Sequence, residues 1–327
     1  MDARSHILLS GGTGFFGRAL LRHWLASAQR GLMIPTVTVL ARTPQRFVQQ
    51  FPEFDAQPWL RFHQADILQP STLPSDSRFT HVLHAATEST LGPQLTPIDR
   101  FQQIADSTRN LLDLAVRCQA RRFLLTSSGA VYGPQPAHLE RVDETWLGSP
   151  DPLNPANAYG MGKRMAEHLC ALYAQAHGLD TVVARCFAFV GPDLPLDVHF
   201  AIGNFIRDAL WADAVTVAGD GSPRRSYMEQ SDLARWLLEL LLRGRSGQAY
   251  NVGSPEAISI VDLAHLVRDT LAPDKPVHIL GQASDPSARS LYIPDLGKAG
   301  RELGLGIQVP LREAILRTAR NFTRTHP

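Results

Sequence analysis

The stretch Ile7-Leu8-Leu9-Ser10-Gly11-Gly12-Thr13-Gly14-Phe15-Phe16-Gly17 decides how the rest of the chain is read. Ile7–Leu9 predicts a short buried strand, and the pattern over Arg18–Ala28 predicts a helix. Between them the glycines read as GxGxxG from Gly12 and as GxxGxxG from Gly11. Glycine lets a chain turn tightly and bring its backbone against a pyrophosphate at the start of a helix. A glycine motif alone is only a tight turn. With a strand before it, a helix after it and a position near residue 1, it reads as a dinucleotide-binding site.

Working outward, further apolar runs lie at Val37–Leu40, Val82–Leu83, Phe123–Leu125 and Thr181–Ala184. Helical patterns separate them. Phe101, Ile104, Ala105, Leu111, Leu112 and Ala115 recur at spacings of three and four, as do Met165, Leu169, Leu172, Tyr173 and Ala176. Strand–helix alternation of this kind predicts an α/β fold, a Rossmann-like doubly wound parallel sheet with helices on both faces. After Gly191 the texture changes to short segments punctuated by Pro192, Pro195, Gly203, Gly219, Gly221 and Pro223. Helices are expected near Leu233–Leu242, Ile260–Leu271 and Leu311–Asn321, with a strand at Ala249–Val252. The expected division is a dinucleotide-binding domain over 1–187 and a smaller substrate-binding lobe over 188–327. Segments around 223–252 are expected to return to the first domain.

Composition narrows the function classes. In 327 residues, Lys+Arg number 32 against 31 Asp+Glu, a net charge of +1, so no global field would draw the chain to nucleic acid or anionic lipid. Arg121-Arg122 and Arg224-Arg225 are isolated pairs rather than a basic stripe. No run approaches the ~18 apolar residues of a membrane span, and the N-terminal Met1–His6 leads into a stretch too short for a signal sequence. Cys118, Cys170 and Cys186 show no CxxC spacing, so neither a disulfide framework nor a thiolate metal site is indicated. A reducing cytoplasm is the expected compartment. His81 and His84 have HxxH spacing but no third ligand in register, and a structural role is expected for them.

At the end of the second strand a carboxylate would suit the ribose 2′-hydroxyl of NAD, and a cation the 2′-phosphate of NADP. The chain has Ala41-Arg42 there, which favours NADP; NAD, with Arg42 merely stacked on adenine, is the alternative. Asp66-Ile67, after Leu60–Gln64, is a candidate for the adenine edge, although an Asp in a loop is commonly a turn residue.

Tyr159-Gly160-Met161-Gly162-Lys163 opens a helix, and positions i and i+4 share one helical face. A neighbouring ammonium stabilises phenolate, so the tyrosine can exchange a proton at a carbinol or carbonyl oxygen. Only three of the 32 cationic residues are lysine, and with six tyrosines a chance Tyr-x3-Lys is rare. The strand Phe123–Leu125 runs into Thr126-Ser127-Ser128-Gly129-Ala130-Val131-Tyr132-Gly133, where a hydroxyl at the carboxyl end can hold a reacting oxygen.

These motifs, with His84-Ala85-Ala86, Thr108–Leu112, Arg185–Pro192, Gly219–Asp232, Asn251-Val252-Gly253 and Asp295–Leu305, resemble an extended short-chain dehydrogenase/reductase. The similarity is to the nucleotide-sugar epimerase/dehydratase family and runs over nearly the whole chain. It implies Ser128, Tyr159 and Lys163 as catalytic residues, with Ser128 also touching substrate and Arg225 gripping the substrate diphosphate. A guanidinium suits that task because it meets phosphate as a bidentate fork. The resemblance also implies a cofactor site of Gly11, Gly14, Phe15, Phe16, Gly17, Arg42, Asp66, Ile67, Ala85, Ala86, Thr87, Tyr159, Lys163 and Cys186. It further implies a homodimer.

Departures limit the reaction. Sugar-nucleotide 4,6-dehydratases carry an Asp-Glu pair where this chain has Gly129 and Ala130, so water elimination lacks its acid/base pair. Ala188 and Val190 stand where the family usually has Asn and Tyr. The expected activity is therefore oxidoreduction at C4 of a nucleotide-diphosphate sugar, with NADPH-dependent 4-ketoreduction favoured over a 4-epimerase that keeps its NAD bound. A non-catalytic dinucleotide sensor on the same fold is the third reading.

Overall fold

The computed structural model describes residues 5–75, 78–87, 95–198, 200–282 and 290–325, with residues 324 and 325 described by backbone alone. Met1–Arg4 of the opening stretch lie outside them. The first half forms β1 (His6–Ser10), α1 (Phe15–Gln29), β2 (Thr36–Ala41), α2 (Pro44–Gln50), β3 (Leu60–Gln64) and β4 (His81–His84). It continues through α3 (Pro97–Arg117), β5 (Arg122–Ser128), α4 (Ala158–His177) and β6 (Asp180–Cys186). There follow β7 (Phe189–Val190), α5 (Ala201–Trp211), β8 (Val215–Val217), β9 (Arg224–Arg225), β10 (Met228–Glu229), α6 (Gln230–Arg243) and β11 (Gln248–Val252). The chain closes with β12 (Ile258–Ser259), α7 (Ile260–Leu271), β13 (Val277–Ile279), β14 (Leu291–Tyr292), α8 (Gly297–Leu303) and α9 (Leu311–Thr325).

A seven-stranded sheet has the order β11-β6-β5-β4-β1-β2-β3, and β1 pairs in parallel with both β2 and β4. β2–β3 and β4–β5 are parallel as well. The fold is thus the Rossmann-like, mostly parallel sheet expected. Strand order reverses between β1 and β4, and ligands in such sheets bind beyond the carboxyl ends of the strands at that reversal. Parallel strands covered on both faces need continuous apolar runs, and Ile7, Leu8 and Leu9 are all fully buried. Each such side chain contributes roughly 1.5–3 kcal/mol by leaving water.

Local sequence explains the flanking helices. α3 starts where the Thr96 hydroxyl accepts the Asp99 backbone N–H, with Pro97 at the first position and Arg117 in the last turn. α4 stops at Gly178, whose φ of +65° is the left-handed cap that glycine adopts without strain. Gly162 of α4 lets Ile104 of α3 approach: a Cβ there would sit 3.1 Å from its Cδ1.

Three helices, α2, α5 and α8, go beyond the sequence expectation. α2 is only seven residues long and buries just Pro44 and Phe47, too little to show a period. α5 buries Ile202, Phe205, Ile206 and Ala209, with Gly203 packed where a Cβ would meet the Pro195 carbonyl at 2.9 Å. Gly203 is therefore a close-packing residue inside a helix, not punctuation between segments.

Backbone contacts divide the chain into two compact units. One comprises Met1–Val131, Pro150–Arg185 and Ala234–Tyr250; the other Tyr132–Ser149, Cys186–Leu233 and Asn251–Pro327. In the second unit the Tyr132 hydroxyl donates to Asn251, whose own amide donates to the Val142 and Asp295 carbonyls. Among the described residues no helix is long and apolar enough to cross a membrane.

Candidate active site

The glycine turn follows β1 and packs against the chain leaving β4. Gly11 has φ +73°, and a Cβ on it would lie 2.6 Å from the backbone of Ala85 and Ala86. A Cβ on Gly17 would lie 2.3 Å from the Gly11 carbonyl oxygen. Neither position tolerates a side chain, because backbone atoms stand where it would go. Gly14 precedes α1 in extended conformation with no side-chain cap, and the first turn of α1 holds no acidic residue. That bare helix start fits a pyrophosphate, whose charge suits the helix dipole. Phe15 and Phe16, half-buried, begin the helix with ring centroids 6.0 Å apart.

Beyond the carboxyl end of β2 an open pocket of about 250 Å³ is lined by Thr13, Arg42, Thr43, Arg46, Phe47 and Gln50, among others. Arg46, on the first turn of α2, lines the same pocket as Arg42, which precedes the helix. The signal for it was present in Thr43-Pro44, a helix start with proline at the first position. Asp66 serves its own turn: its carboxylate accepts the Leu68 N–H, while the Ile67 carbonyl accepts from Asn110.

His84 forms a buried post beneath this region. Thr108 Oγ1 donates to the Ile104 carbonyl at 2.7 Å and stands 3.3 Å from His84 Nε2. Its proton being so engaged, it accepts from Nε2, and Nδ1 accepts from Ser10 Oγ at 2.8 Å. Burial, and secondarily the Lys163 charge, lower the His84 pKa to about 3, so the ring is neutral. Burial and these two hydrogen bonds fix the His84 ring in place; among the described residues no group of three or more His, Cys, Asp or Glu side chains could hold a metal.

Tyr159, Lys163 and Ser128 come together through α4 and the end of β5. Lys163 is 3% exposed; its Nζ donates to Thr87 Oγ1 at 2.7 Å and to the Thr126 carbonyl at 2.8 Å. It lies 6.0 Å from the Tyr159 ring centroid, and Tyr159 is half-buried. Ser128 ends β5 and accepts the Ala130 N–H at 3.2 Å. Gly160, next to Tyr159, presses on that same turn, where a Cβ would lie 2.8 Å from the Ala130 carbonyl oxygen. Arg164 adds a hydrogen bond to the Val131 carbonyl. Ala85, Ala86 and Thr87 continue from β4 beside the glycine turn and Lys163. Phenol, ammonium and hydroxyl therefore sit at one edge of the sheet with the glycine turn.

Cys186 and Arg225 lie in the second unit. Cys186 is buried, and its carbonyl accepts the Tyr292 hydroxyl at 3.3 Å. Arg225 Nη1 donates to the Arg224 and Ser290 carbonyls, Nη2 donates to Ser290 Oγ, and the guanidinium sits 5.9 Å from the Tyr292 ring. Burial pushes the neighbouring Tyr227 phenol up to about 12, against the pull of Arg225, so Tyr227 is a poor proton carrier.

A reversed strand order with a glycine turn at its switch point is the architecture of a Rossmann-like dinucleotide enzyme. The chain belongs to the NAD dependent epimerase/dehydratase family, whose profile matches residues 7–253. It is 30% identical over 321 residues to UDP-glucuronic acid decarboxylase 1 of Danio rerio, covering 98% of this chain and 73% of that one. The like-named protein of Arabidopsis thaliana is 29% identical over 320 residues, covering 98% and 70%. The fold superposes on the dTDP-glucose 4,6-dehydratase DesIV from Streptomyces venezuelae, solved with NAD and TYD bound. There the TM-score is 0.82 at 26% identity, over 98% of this chain and 97% of that one. A UDP-glucose 4-epimerase from Thermotoga maritima matches with TM-score 0.82 at 22% identity over 98% and 100%, a likeness of fold alone. The chain is thus an enzyme of a family that works on sugar nucleotides with NAD.

Proposed function

We propose that this enzyme is an oxidoreductase acting at C4 of a nucleotide-diphosphate sugar. The observation that carries the reading is Lys163, buried between Thr87 and the Thr126 carbonyl and one helical turn from Tyr159. When bound, the nicotinamide supplies or accepts the hydride. Tyr159 gives its phenolic proton to the C4 oxygen as the carbonyl becomes a hydroxyl, and takes one back in the opposite direction. Lys163 favours the phenolate left behind, because its nearby ammonium charge stabilises the anion. Ser128 holds the C4 oxygen, and Arg225 takes the diphosphate.

Among the reactions that share this equipment we favour 4-ketoreduction by NADPH. Arg42 and Arg46 beside Thr43 and Gln50 supply two cations and hydrogen-bond donors suited to a 2′-phosphate. Gly129 and Ala130 offer no acid/base pair for the elimination that a 4,6-dehydratase performs. A second reading is favoured by the curated relatives, which are UDP-glucuronic acid decarboxylases. Oxidation at C4 of a uronic acid creates a β-keto acid; CO2 then leaves, C5 is protonated, and the hydride returns to C4.

Three further expectations accompany the reading. Ile98 and Leu172 are exposed apolar residues on α3 and α4, which supports a homodimer formed through these helices and checked by sedimentation. The free thiols of Cys118, Cys170 and Cys186 support a reducing compartment such as the cytoplasm. The substrate-binding role is expected of the lobe over 188–327.

The test is incubation with 4-keto, 4-hydroxy and uronic-acid sugar nucleotides, following absorbance at 340 nm and product mass. Net NADPH oxidation supports the ketoreductase. A changed sugar without net oxidation supports an epimerase, and loss of CO2 supports the decarboxylase. No turnover of any sugar nucleotide contradicts the proposal.

A further inference from the structure

In the C4 reading Ser128 and Tyr159 act on one substrate oxygen, so how β5 is held against α4 matters. Ser127, immediately before Ser128, is 3% exposed, and its hydroxyl donates to Glu167 Oε1 at 2.6 Å. Glu167 lies on α4 four residues past Lys163 and eight past Tyr159, so the three share one helical face. On its other side Glu167 accepts from Arg185 of β6: Nε stands 3.1 Å from Oε1 and 3.2 Å from Oε2, and Nη2 stands 2.7 Å from Oε2. The two charged side chains are only 14% and 17% exposed.

A buried ion pair is weak evidence for net stability, because desolvation offsets much of its attraction. Its geometry is another matter. A forked guanidinium–carboxylate contact has little orientational freedom, and here the carboxylate keeps acceptor capacity for a hydroxyl on the neighbouring strand. The chain of contacts joins β6, α4 and β5 at the residue next to Ser128.

We propose that Ser127, Glu167 and Arg185 are positioning residues, which lock the Ser128 end of β5 in register with the α4 face that carries Tyr159 and Lys163. They touch no reacting atom. The inference rests on the C4 oxidoreductase reading, in which Ser128 and Tyr159 share one substrate oxygen. A misplacement of about 1 Å in such a pair costs on the order of 100-fold in rate.

The test measures kcat, KM, dinucleotide affinity and thermal midpoint for S127A, S127T, E167Q and the S127A/E167Q double variant, with Y159F as reference. S127A removes a hydroxyl and little volume, so it reads the inference even if E167Q does not fold. The expected result is a loss of roughly 10–100-fold in kcat for S127A, with KM and dinucleotide affinity changed less than about twofold. S127T, which keeps the hydroxyl, is expected to recover most of the rate. The double variant is expected to lose no more than its worse parent, because both act on one path. If S127A keeps its kcat, or loses only thermal midpoint or KM, while Y159F abolishes turnover, the positioning role is overturned. If turnover survives Y159F, the C4 reading falls instead.

Discussion

Lys163 reaches across from α4 to the Thr126 carbonyl at 2.8 Å, and this contact ties the lysine one turn from Tyr159 to the strand that ends in Ser128. A backbone carbonyl cannot move independently of its strand, so the ammonium is held in one frame with the strand that ends in Ser128. Thr87 completes the frame from the segment that leaves β4.

Replacing Tyr159 by Phe removes the proton carrier and leaves the ring. Turnover is expected to fall by at least about 100-fold, the usual worth of a general acid–base, while dinucleotide binding stays within a few-fold. Steady-state kinetics and a fluorescence titration check the two halves.

Removing Arg42 and Arg46 together is expected to lower kcat/KM for NADPH by 10-fold or more and to leave NADH use nearly unchanged. The loss of even one charge-assisted hydrogen bond of roughly 1.5 kcal/mol sets that minimum. An enzyme that already prefers NADH, and is indifferent to the two arginines, would contradict the NADPH preference alone.

At Gly17 a methyl group would meet the Gly11 carbonyl oxygen at 2.3 Å. The Gly17→Ala variant must push the turn off its position, and it is expected to lose dinucleotide binding and several degrees of thermal midpoint. Calorimetry with and without cofactor separates the two losses.

His84 couples stability to pH. The folded ring stays neutral down to about 3, whereas an unfolded imidazole takes a proton near 6.5. Between those values the unfolded state holds the extra proton, so stability falls as pH falls, by up to about 1.4 kcal/mol per unit. Above 6.5 the residue makes no such contribution. His6, His23 and His81 are also lowered by burial and share in the overall slope. The difference between wild type and His84→Asn isolates this ring, and denaturant unfolding at pH 7 and pH 5 should show a shallower acid loss in the variant.

The architecture was legible where burial is continuous. Ile7–Leu9 and Phe123–Leu125 are apolar throughout, and Val37–Leu40 apart from Thr38, because each strand is covered on both faces. β3 reads less clearly, since Arg61 and Gln64 face solvent at the sheet edge. Tyr159 and Lys163 were legible because helical spacing is a local property. Arg46 was missed with α2, which is too short to show a period and is marked in the sequence only by Thr43-Pro44. Glu167 could not be linked to Ser127 or Arg185 at all, because partners 40 and 18 residues away are joined only by the fold.

The most direct measurement follows the hydride itself. The enzyme is supplied with NADPH carrying deuterium at nicotinamide C4, on each face in turn, and with 4-keto sugar nucleotides; the product sugar is read by mass spectrometry and NMR. The expected result is one deuterium at sugar C4 from one face of the ring, absent in Y159F. Turnover that yields product with no deuterium at C4 from either face would contradict hydride transfer to that carbon.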